Sequence, residues 1–267
     1  MAEPTELERI EASLRAVQAV AGVVHAVESL ARAQLPRAER AVAEGSEYLD
    51  WIDAVIDRLA GPPREPEHAA SLTVVVGPER AFSGGLARAV VRSAPARGAL
   101  GLVGTRLSET AARERGLAER VVFSLAGPSS VDDLADASAR LAEAVLAHGS
   151  GARVELVHPR GRGVARVVLL AAAREPRPLE HELYSPAREV LRAAVRESVT
   201  GRLRIALAEG LLAELRARTA MAERARRAAD ERLEELEARL RVGQREQITR
   251  ELTELTTALL ALGRPAP

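Results

Sequence analysis

The C-terminal stretch ERLEELEARLRVGQREQITRELTELTTALLAL (Glu231–Leu262) decides the fold of this chain. Apart from a polar break around Gln244, its apolar residues alternate between spacings of three and four: Leu233, Leu236, Leu240, Ile248, Leu252, Leu255, Leu259 and Leu262. This spacing is typical of a helix that packs lengthwise against another helix. Because no proline follows Pro186 until Pro265, the sequence predicts one helix from about Ser185 to Leu262.

A second helical pattern occupies the N-terminal end of the chain. Its apolar residues also step by three and four: Leu7, Ile10, Leu14, Val17, Ala21 and Val24. Pro36 is predicted to kink or reset this helix, because proline lacks the N–H that bonds to the preceding turn. The pattern then resumes, with one predicted face formed by Tyr48, Trp51, Ile52, Val55 and Leu59. The proline-rich stretch Gly61–His68 ends it.

Short β-branched runs alternate with helical stretches in the middle of the chain. The predicted strands are 71–77, 98–104, 119–125 and a pair around the turn at Pro159–Gly163. Ser130 followed by Asp132 and Asp133 is typical of a helix N-terminus. This alternation favours a Rossmann-like α/β domain whose sheet is parallel at least in part.

The two helical patterns lie at opposite ends of the sequence, with the α/β region between them. A single long helix cannot bury its apolar stripe by itself, so an antiparallel coiled coil of the two ends is the economical arrangement. The predicted fold class is α/β plus a long antiparallel coiled coil. Its predicted divisions are an N-terminal shaft helix at 1–60, a central α/β domain at 61–180 and a long C-terminal shaft helix at 181–267. The longer C-terminal helix is expected to project past the N-terminal one.

The composition excludes several classes of function. The 267 residues include no cysteine and no lysine, so disulfides, thiolate metal sites, P-loop lysines and Schiff-base lysines are excluded. The 38 basic and 38 acidic residues give a net charge of zero, which argues against nucleic-acid binding. The N-terminus does not resemble a signal peptide, and the apolar run Val167–Ala173 is far shorter than a membrane span. The chain is therefore expected to be intracellular, without direct membrane insertion.

The motifs indicate no catalytic, cofactor or metal site. Gly77–Gly85 (GPERAFSGG) follows a strand, but it is neither G-x-G-x-x-G nor a Walker A loop, so a strand-to-helix turn is favoured. The histidines lack the spacing of metal ligands: His25, His68, His148, His158 and His181. Adjacent carboxylates such as Asp132 and Asp133 point in different directions from a helix and form no acid–base pair.

Several segments are similar to the motifs of one known family. Ile248–Leu255 (ITRELTEL) matches I-T-x-E-(I/L)-x-E-(I/L), and Glu209–Thr219 is similar to E-S-L-A-S-E-x-x-A-R-M. Ala26–Leu35 lies where the family has A-M-E-x-V-A-x-x-K-L, and Gly77–Leu86 occupies the place of S-D-R-G-L-C-G-G-L. The chain resembles the gamma subunit of F-type ATP synthases, the central rotor shaft.

This resemblance implies a function and a set of partners. The implied function is a rotor-shaft subunit, itself not an enzyme, that couples ion flow through a membrane sector to conformational change at catalytic subunits. The implied partners are the ring of catalytic and non-catalytic subunits, a small epsilon-like stalk subunit, and a membrane rotor ring on which the α/β domain stands as the foot. The implied location is the cytoplasmic face of the bacterial inner membrane, where the complex holds the chain peripherally.

The partner contacts are predicted on both terminal helices. Polar contacts are expected from side chains off the apolar stripe: His25, Glu28, Gln244, Arg245, Thr249 and Glu251. Apolar contacts with a surrounding sleeve of subunits are expected from Leu252, Leu255 and Leu259. The pair Gln244-Arg245 stands in the reverse of the family's order. The alternative for each polar residue is a solvated helix face.

The sequence leaves two other classes of function open. One is a stand-alone coiled-coil scaffold with an α/β head domain, which would leave the ITRELTEL motif unexplained. The other is an enzyme that uses the α/β domain, although the sequence encodes no recognisable chemistry there.

Overall fold

The computed structural model describes residues 5–60, 71–149, 153–170, 176–177 and 185–262. The predicted linker at Gly61–His68 and the residue His181 lie outside these ranges. The helices are α1 (Glu6–Leu59), α2 (Leu86–Arg92), α3 (Thr105–Ala111), α4 (Leu134–His148) and α5 (Ala187–Leu262), with single 3₁₀ turns at Ala118–Arg120 and Val131–Asp133. The strands are β1 (Ser71–Val76), β2 (Ala99–Val103), β3 (Val121–Leu125), β4 (Arg153–Arg160) and β5 (Gly163–Leu170).

The chain divides into two compact units, and each contains a part of α1 and a part of α5. The terminal unit comprises residues 1–29 and 222–267, and the central unit comprises residues 30–221. The strands and the shorter helices all lie in the central unit. The predicted division at about residues 60 and 180 stays a prediction.

The sheet of the central unit has the strand order β3-β2-β1-β4-β5. Neighbouring strands are parallel from β3 to β4, and β5 is antiparallel to β4, so the prediction of a partly parallel sheet is confirmed. The β4–β5 hairpin turns at Gly161, whose positive φ of 58° suits a residue without a Cβ. The loop from β1 to α2 is the predicted strand-to-helix turn.

Helices cover both faces of the sheet: successive β1 side chains point to opposite sides, and those from Leu72 to Val76 are all buried. On one face Val74 packs in a cluster with Leu141 of α4 and Leu207 of α5. On the other face Val75 packs in a cluster with Val90 of α2 and with residues of α3. A segment of α5 is therefore part of the hydrophobic core of the α/β layer.

Within the central unit α1 and α5 run antiparallel. Ile205 lies beside Gly45, where a Cβ would be 2.8 Å from Cγ1 of Ile205, and Arg216 donates to Glu39 at 2.8 Å. Residue numbers thus decrease along α1 in the direction in which they increase along α5. Small residues such as Gly45 permit this close approach.

The buried face of α1 near its C-terminal end differs from the predicted one. The buried side chains are Leu49, Ile52, Ile56 and Leu59. Tyr48 and Trp51, which were predicted on this face, are exposed and stack on each other with ring centroids 6.5 Å apart. That part of the prediction is wrong because both sets of residues keep a spacing of three and four, and packing against α5 selects only one of them.

α1 passes through Pro36 without interruption, so the predicted reset is wrong, whereas the predicted kink stays a prediction. A proline inside a helix costs about 3 kcal/mol. On the same helix Ala31 and Ala38 are buried in one cluster with Leu211 and Leu215 of α5. Each fully buried leucine contributes about 1.5–3 kcal/mol, so this packing offsets the proline.

In the terminal unit the two helices also run antiparallel. A Cβ on Gly243 would lie 2.7 Å from Cδ2 of Leu7, and Arg226 lies 3.9 Å from Glu28. The predicted N-terminal stripe is half-buried from Leu7 onward and buried at Val24. The predicted antiparallel pairing is therefore confirmed within each unit.

Candidate partner interface

The C-terminal end of α5 carries a row of exposed apolar side chains, here called the terminal stripe: Ile248, Leu252, Leu255 and Leu259. Their exposed fractions rise from 56% at Ile248 to 70% at Leu259. The spacing of four, three and four places them on one face of the helix. Full burial of each would contribute about 1.5–3 kcal/mol. Contiguous apolar patches of this kind mark contact surfaces.

The threonines near this stripe use their hydroxyl protons within the helix. Each donates to the carbonyl four residues earlier, at 2.7–2.8 Å: Thr249, Thr253, Thr256 and Thr257. A hydroxyl proton bonded in this way is not offered to a partner. The four threonines therefore add methyl surface beside the leucines and offer no hydroxyl proton to a partner.

The predicted polar contacts on α5 lie together on its exposed end. Gln244, Arg245, Thr249 and Glu251 are all exposed. One oxygen of Glu251 accepts a hydrogen bond from Gln247 at 2.9 Å. Their role as partner contacts stays a prediction, and so does that of Leu252, Leu255 and Leu259.

The two predicted contacts on α1 have different surroundings. His25 is exposed, as expected for a side chain off the stripe. Glu28 is 7% exposed, with one carboxylate oxygen 3.9 Å from Nε of Arg226, so the expectation that it lies off the helix–helix seam is wrong. A charged residue can occupy a seam when a cation on the opposite helix faces it.

α1 is also the one described helix long and apolar enough to cross a membrane by length and composition. Its most apolar window has a mean hydropathy of 1.2. The exposed apolar side chains of α1 include Val20, Val23 and Leu30. α1 pairs with α5 within each unit, and one helix of this length and composition does not by itself indicate a membrane span.

A buried carboxylate on α5 contacts the α/β layer. Glu214 is 3% exposed, and its two oxygens accept the backbone N–H groups of Glu79 at 2.7 Å and Arg80 at 3.1 Å. Burial raises the pKa of the Glu214 carboxyl above its ordinary value, while the two backbone hydrogen bonds and Arg218 act in the opposite direction. Both backbone donors need an acceptor, so the ionised carboxylate fits this site.

A second carboxylate of α5 contacts β4. Glu209 lies 3.0 Å from Nδ1 of the buried His158 and 3.2 Å from Nε of Arg160. His158 lies inside β4. No group of described His, Asp and Glu side chains has the arrangement of a metal site.

Sequence reasoning assigned no role to either of these carboxylates. A signal was present at Glu214, which stands between Leu211 and Leu215 in a strongly apolar part of α5. A carboxylate there requires a buried donor, because an unpaired buried charge is costly. The identity of that donor, a pair of backbone N–H groups, has no signature in the sequence.

The family and structure comparisons both identify ATP synthase chains. The sequence profile of a family described as ATP synthase matches residues 6–262. The chain is similar to one in the Euglena gracilis mitochondrial ATP synthase in rotational state 3, with a TM-score of 0.62 and 14% identity over 96% of this chain and 94% of that one. No curated protein sequence matches it.

Two further solved structures have a similar fold. A chain of the Euglena gracilis ATP synthase rotor in rotational state 1 has a TM-score of 0.58 and 13% identity over 91% of this chain and 98% of that one. A chain of the Tetrahymena thermophila mitochondrial central stalk and c-ring has a TM-score of 0.51 and 16% identity over 76% and 99%. At these identities the structures establish the fold, and the predicted fold class is confirmed.

Proposed function

This chain belongs to the ATP synthase family, as a gamma-type subunit of the central stalk, and from that membership we propose that it is a non-catalytic rotor shaft. Its proposed task is to couple ion flow through a membrane sector to conformational change at the catalytic subunits. The bond-making chemistry then belongs to the ring of subunits around the shaft. The chain contains no lysine, so it lacks the side chain that binds phosphate in a P-loop.

The observation that carries this proposal is the terminal stripe. Its side chains, from Ile248 to Leu259, are more than half exposed. A sleeve formed by the catalytic and non-catalytic subunits would remove them from water. Apolar contact is non-directional, so it holds a helix end in place without fixing its rotational angle. The internally bonded threonine hydroxyls support the same use, since their protons are not available for directional bonds to the sleeve.

Coupling follows from the asymmetry of the shaft. Because the two helices differ in sequence, they present a different face to each ring subunit as they turn. A contact with the shaft shifts a ring subunit's conformation only if that contact is stronger in one conformation of the subunit than in the other. The proposed polar contacts are Gln244, Arg245, Glu251 and His25, together with Thr249 as a hydrogen-bond acceptor, because its hydroxyl proton is already bonded to the Arg245 carbonyl. Glu28, being buried opposite Arg226, is proposed to fix the register of the two helices instead.

The α/β layer is the proposed foot of the rotor. We assign to it the contacts with a small epsilon-like stalk subunit and with a rotor ring in the membrane. The Tetrahymena assembly that contains a similar chain is described as a central stalk with a c-ring, which supports this assignment. The proposed location is peripheral, on the cytoplasmic face of a bacterial inner membrane, with the membrane link made through partners.

The test is capture of the complex with tagged chains. The wild-type chain is expected to recover ring-forming catalytic subunits and the membrane rotor ring. The double substitution Leu255→Glu with Leu259→Glu should recover much less of the catalytic ring, because it places charges against an apolar sleeve. Cutting the chain after Leu252 should weaken assembly less than these charges do.

The matched control is Thr257→Glu, which adds one charge on the opposite side of the same helix. It should reduce recovery of the ring less than the double substitution does. Recovery of no ATP synthase subunits with the wild-type chain would overturn the proposed function. Equal recovery with the stripe variant and the control would remove the terminal stripe from the interface.

A further inference from the structure

The loop that follows β1 has the geometry of an anion site. Its consecutive backbone N–H groups, at Glu79 and Arg80, point at one pair of oxygens. β1 occupies the position from which the strand order runs outward to β2 on one side and to β4 on the other. In open α/β sheets, ligands bind outside the carboxyl ends of the strands at such a point, and consecutive backbone N–H groups bind anions.

Here the two backbone N–H groups bind a side chain of the same protein. The carboxylate of Glu214 accepts both N–H groups, and the residue is 3% exposed. The place of a bound anionic ligand is thus filled by α5. Charge-assisted hydrogen bonds of this kind are shorter and stronger than neutral ones, and they are directional.

Hydrogen bonds connect the same loop to the residues that follow β2 and β3. The side chain of Glu79 accepts from the backbone N–H of Thr105 at 2.8 Å, from the Thr105 hydroxyl at 2.7 Å and from the N–H of Gly127 at 2.7 Å. Thr105 begins α3 directly after β2, and Gly127 follows β3. A continuous set of polar contacts therefore runs from Glu214 across the carboxyl edge of the sheet.

We propose that Glu214 is an internal anion ligand of the α/β layer, and that its contact with Glu79 and Arg80, the Glu214 joint, transmits torque between that layer and α5. The assignment makes Glu214 a positioning residue and rests on the proposed rotor function. The surrounding contact between α5 and the sheet is apolar, from residues such as Leu203 and Leu207. Apolar packing holds the layers together but resists sliding and rotation less than directional bonds do.

A first experiment measures the joint in the full-length chain by amide hydrogen exchange. In Glu214→Ala the amides of Glu79 and Arg80 should exchange about fivefold faster or more, since each loses a buried acceptor. Amides of α2 should change little. Sodium formate should restore protection where sodium chloride does not, because formate supplies the missing carboxylate. Unchanged exchange at both amides in Glu214→Ala would overturn the joint.

Two further variants keep the test interpretable. Glu214→Gln preserves the side-chain volume and one acceptor oxygen, so it should fold and release mainly one of the two amides. Glu234→Ala removes an exposed carboxylate from the same helix and should alter neither amide. Equal effects of Glu234→Ala and Glu214→Ala on both amides would also overturn the assignment.

A second experiment measures torque transmission in the membrane-bound complex. ATP hydrolysis and ATP-driven membrane potential, followed with a voltage-sensitive dye, give a ratio that does not depend on which ion moves. Glu214→Gln should keep ATP hydrolysis per complex within about twofold and lower the potential generated per ATP severalfold, and Glu234→Ala should match the wild type. A purely structural role would lower the amount of complex and leave the ratio unchanged.

The outcomes separate this proposal from the function on which it rests. If the wild-type complex generates no potential, the rotor function fails. If the wild type is coupled and Glu214→Gln has the same ratio despite faster exchange at Glu79 or Arg80, the torque role fails while the rotor function stands. A lowered ratio with retained hydrolysis supports both.

Discussion

Two segments of α5 have the same spacing of leucines and opposite surroundings. Leu203 and Leu207 are fully buried against the sheet, whereas Leu255 and Leu259 are 62% and 70% exposed. The three-and-four spacing reports that one face of the helix is apolar, but it does not report which surface covers that face. The central segment is covered by its own chain. For the terminal segment, the covering surface is proposed to come from other subunits.

The largest expected difference between the segments is in the free energy of unfolding of the isolated chain. Leu203→Ala should destabilise the central unit by about 2–5 kcal/mol, because it leaves a cavity in a packed core. Leu255→Ala should change stability by less than about 0.5 kcal/mol, because its side chain is already in water. Denaturant unfolding followed by the fluorescence of Trp51, the one tryptophan, reports on the central unit.

Circular dichroism of the same samples would report on α5 as a whole. A loss of stability above 1 kcal/mol in Leu255→Ala would mean that the terminal stripe is covered within the isolated chain. The comparison between the two segments would then be wrong.

Local sequence signals were sufficient for much of the fold. The predicted strand at 71–77 corresponds to Ser71–Val76, and the predicted turn at Pro159–Gly163 corresponds to the β4–β5 hairpin. The three-and-four spacing of apolar residues identified both long helices because it repeats over many turns. The helix Thr105–Ala111 was not predicted, since its seven residues are too few for a periodic pattern to stand out.

The parts that could not be predicted depend on contacts distant in sequence. The choice between Tyr48 and Leu49 as the buried residue of α1 is made by α5, not by local spacing. The carboxylate of Glu214 accepts from backbone N–H groups 135 and 134 residues away, and a backbone N–H is not tied to any residue type that a sequence pattern could show. The apolar character of the terminal stripe was predicted from its spacing, and its exposure was predicted from the greater length of the C-terminal helical pattern.

A smaller effect is expected from glycines at two points along α1. Gly45→Ala should destabilise the central unit, since the new Cβ would meet Cγ1 of Ile205 at 2.8 Å and overpacking costs about 1–3 kcal/mol. Gly22→Ala should stabilise the terminal unit by about 1 kcal/mol, because nothing lies within 4 Å and alanine is the better helix former.

Thermal unfolding by circular dichroism and by Trp51 fluorescence would measure both glycine changes. The result that matters is the opposite sign. If both substitutions stabilise the chain, the helices in the central unit are not packed as closely as Gly45 indicates. If both destabilise it, Gly22 is not in open space.

The smallest expected effect concerns the pH dependence of two carboxylates on α5. Burial raises the pKa of Glu214 above its ordinary value of 4.5, and hydrogen bonding from Arg232 lowers the pKa of Glu235 below that value. For Glu214 the folded state binds more protons than the unfolded state just above pH 4.5. Its contribution to stability is therefore fully present below pH 4.5 and is lost as pH rises through the raised pKa. For Glu235 the contribution is present above pH 4.5 and is lost as pH falls through the lowered pKa.

Each carboxylate can be removed without changing side-chain volume, by Glu214→Gln or Glu235→Gln. The unfolding free energy of the wild type minus that of Glu214→Gln should fall with rising pH in the window above 4.5. The corresponding difference for Glu235→Gln should rise with pH in the window below 4.5 and then level off. Glu235 is exposed, so salt should weaken its effect more than that of the buried Glu214. If both differences in unfolding free energy changed with pH in the same direction, the two carboxylates would not differ in burial and pairing as described. The contrast between the central and terminal parts of α5 would then have no electrostatic support.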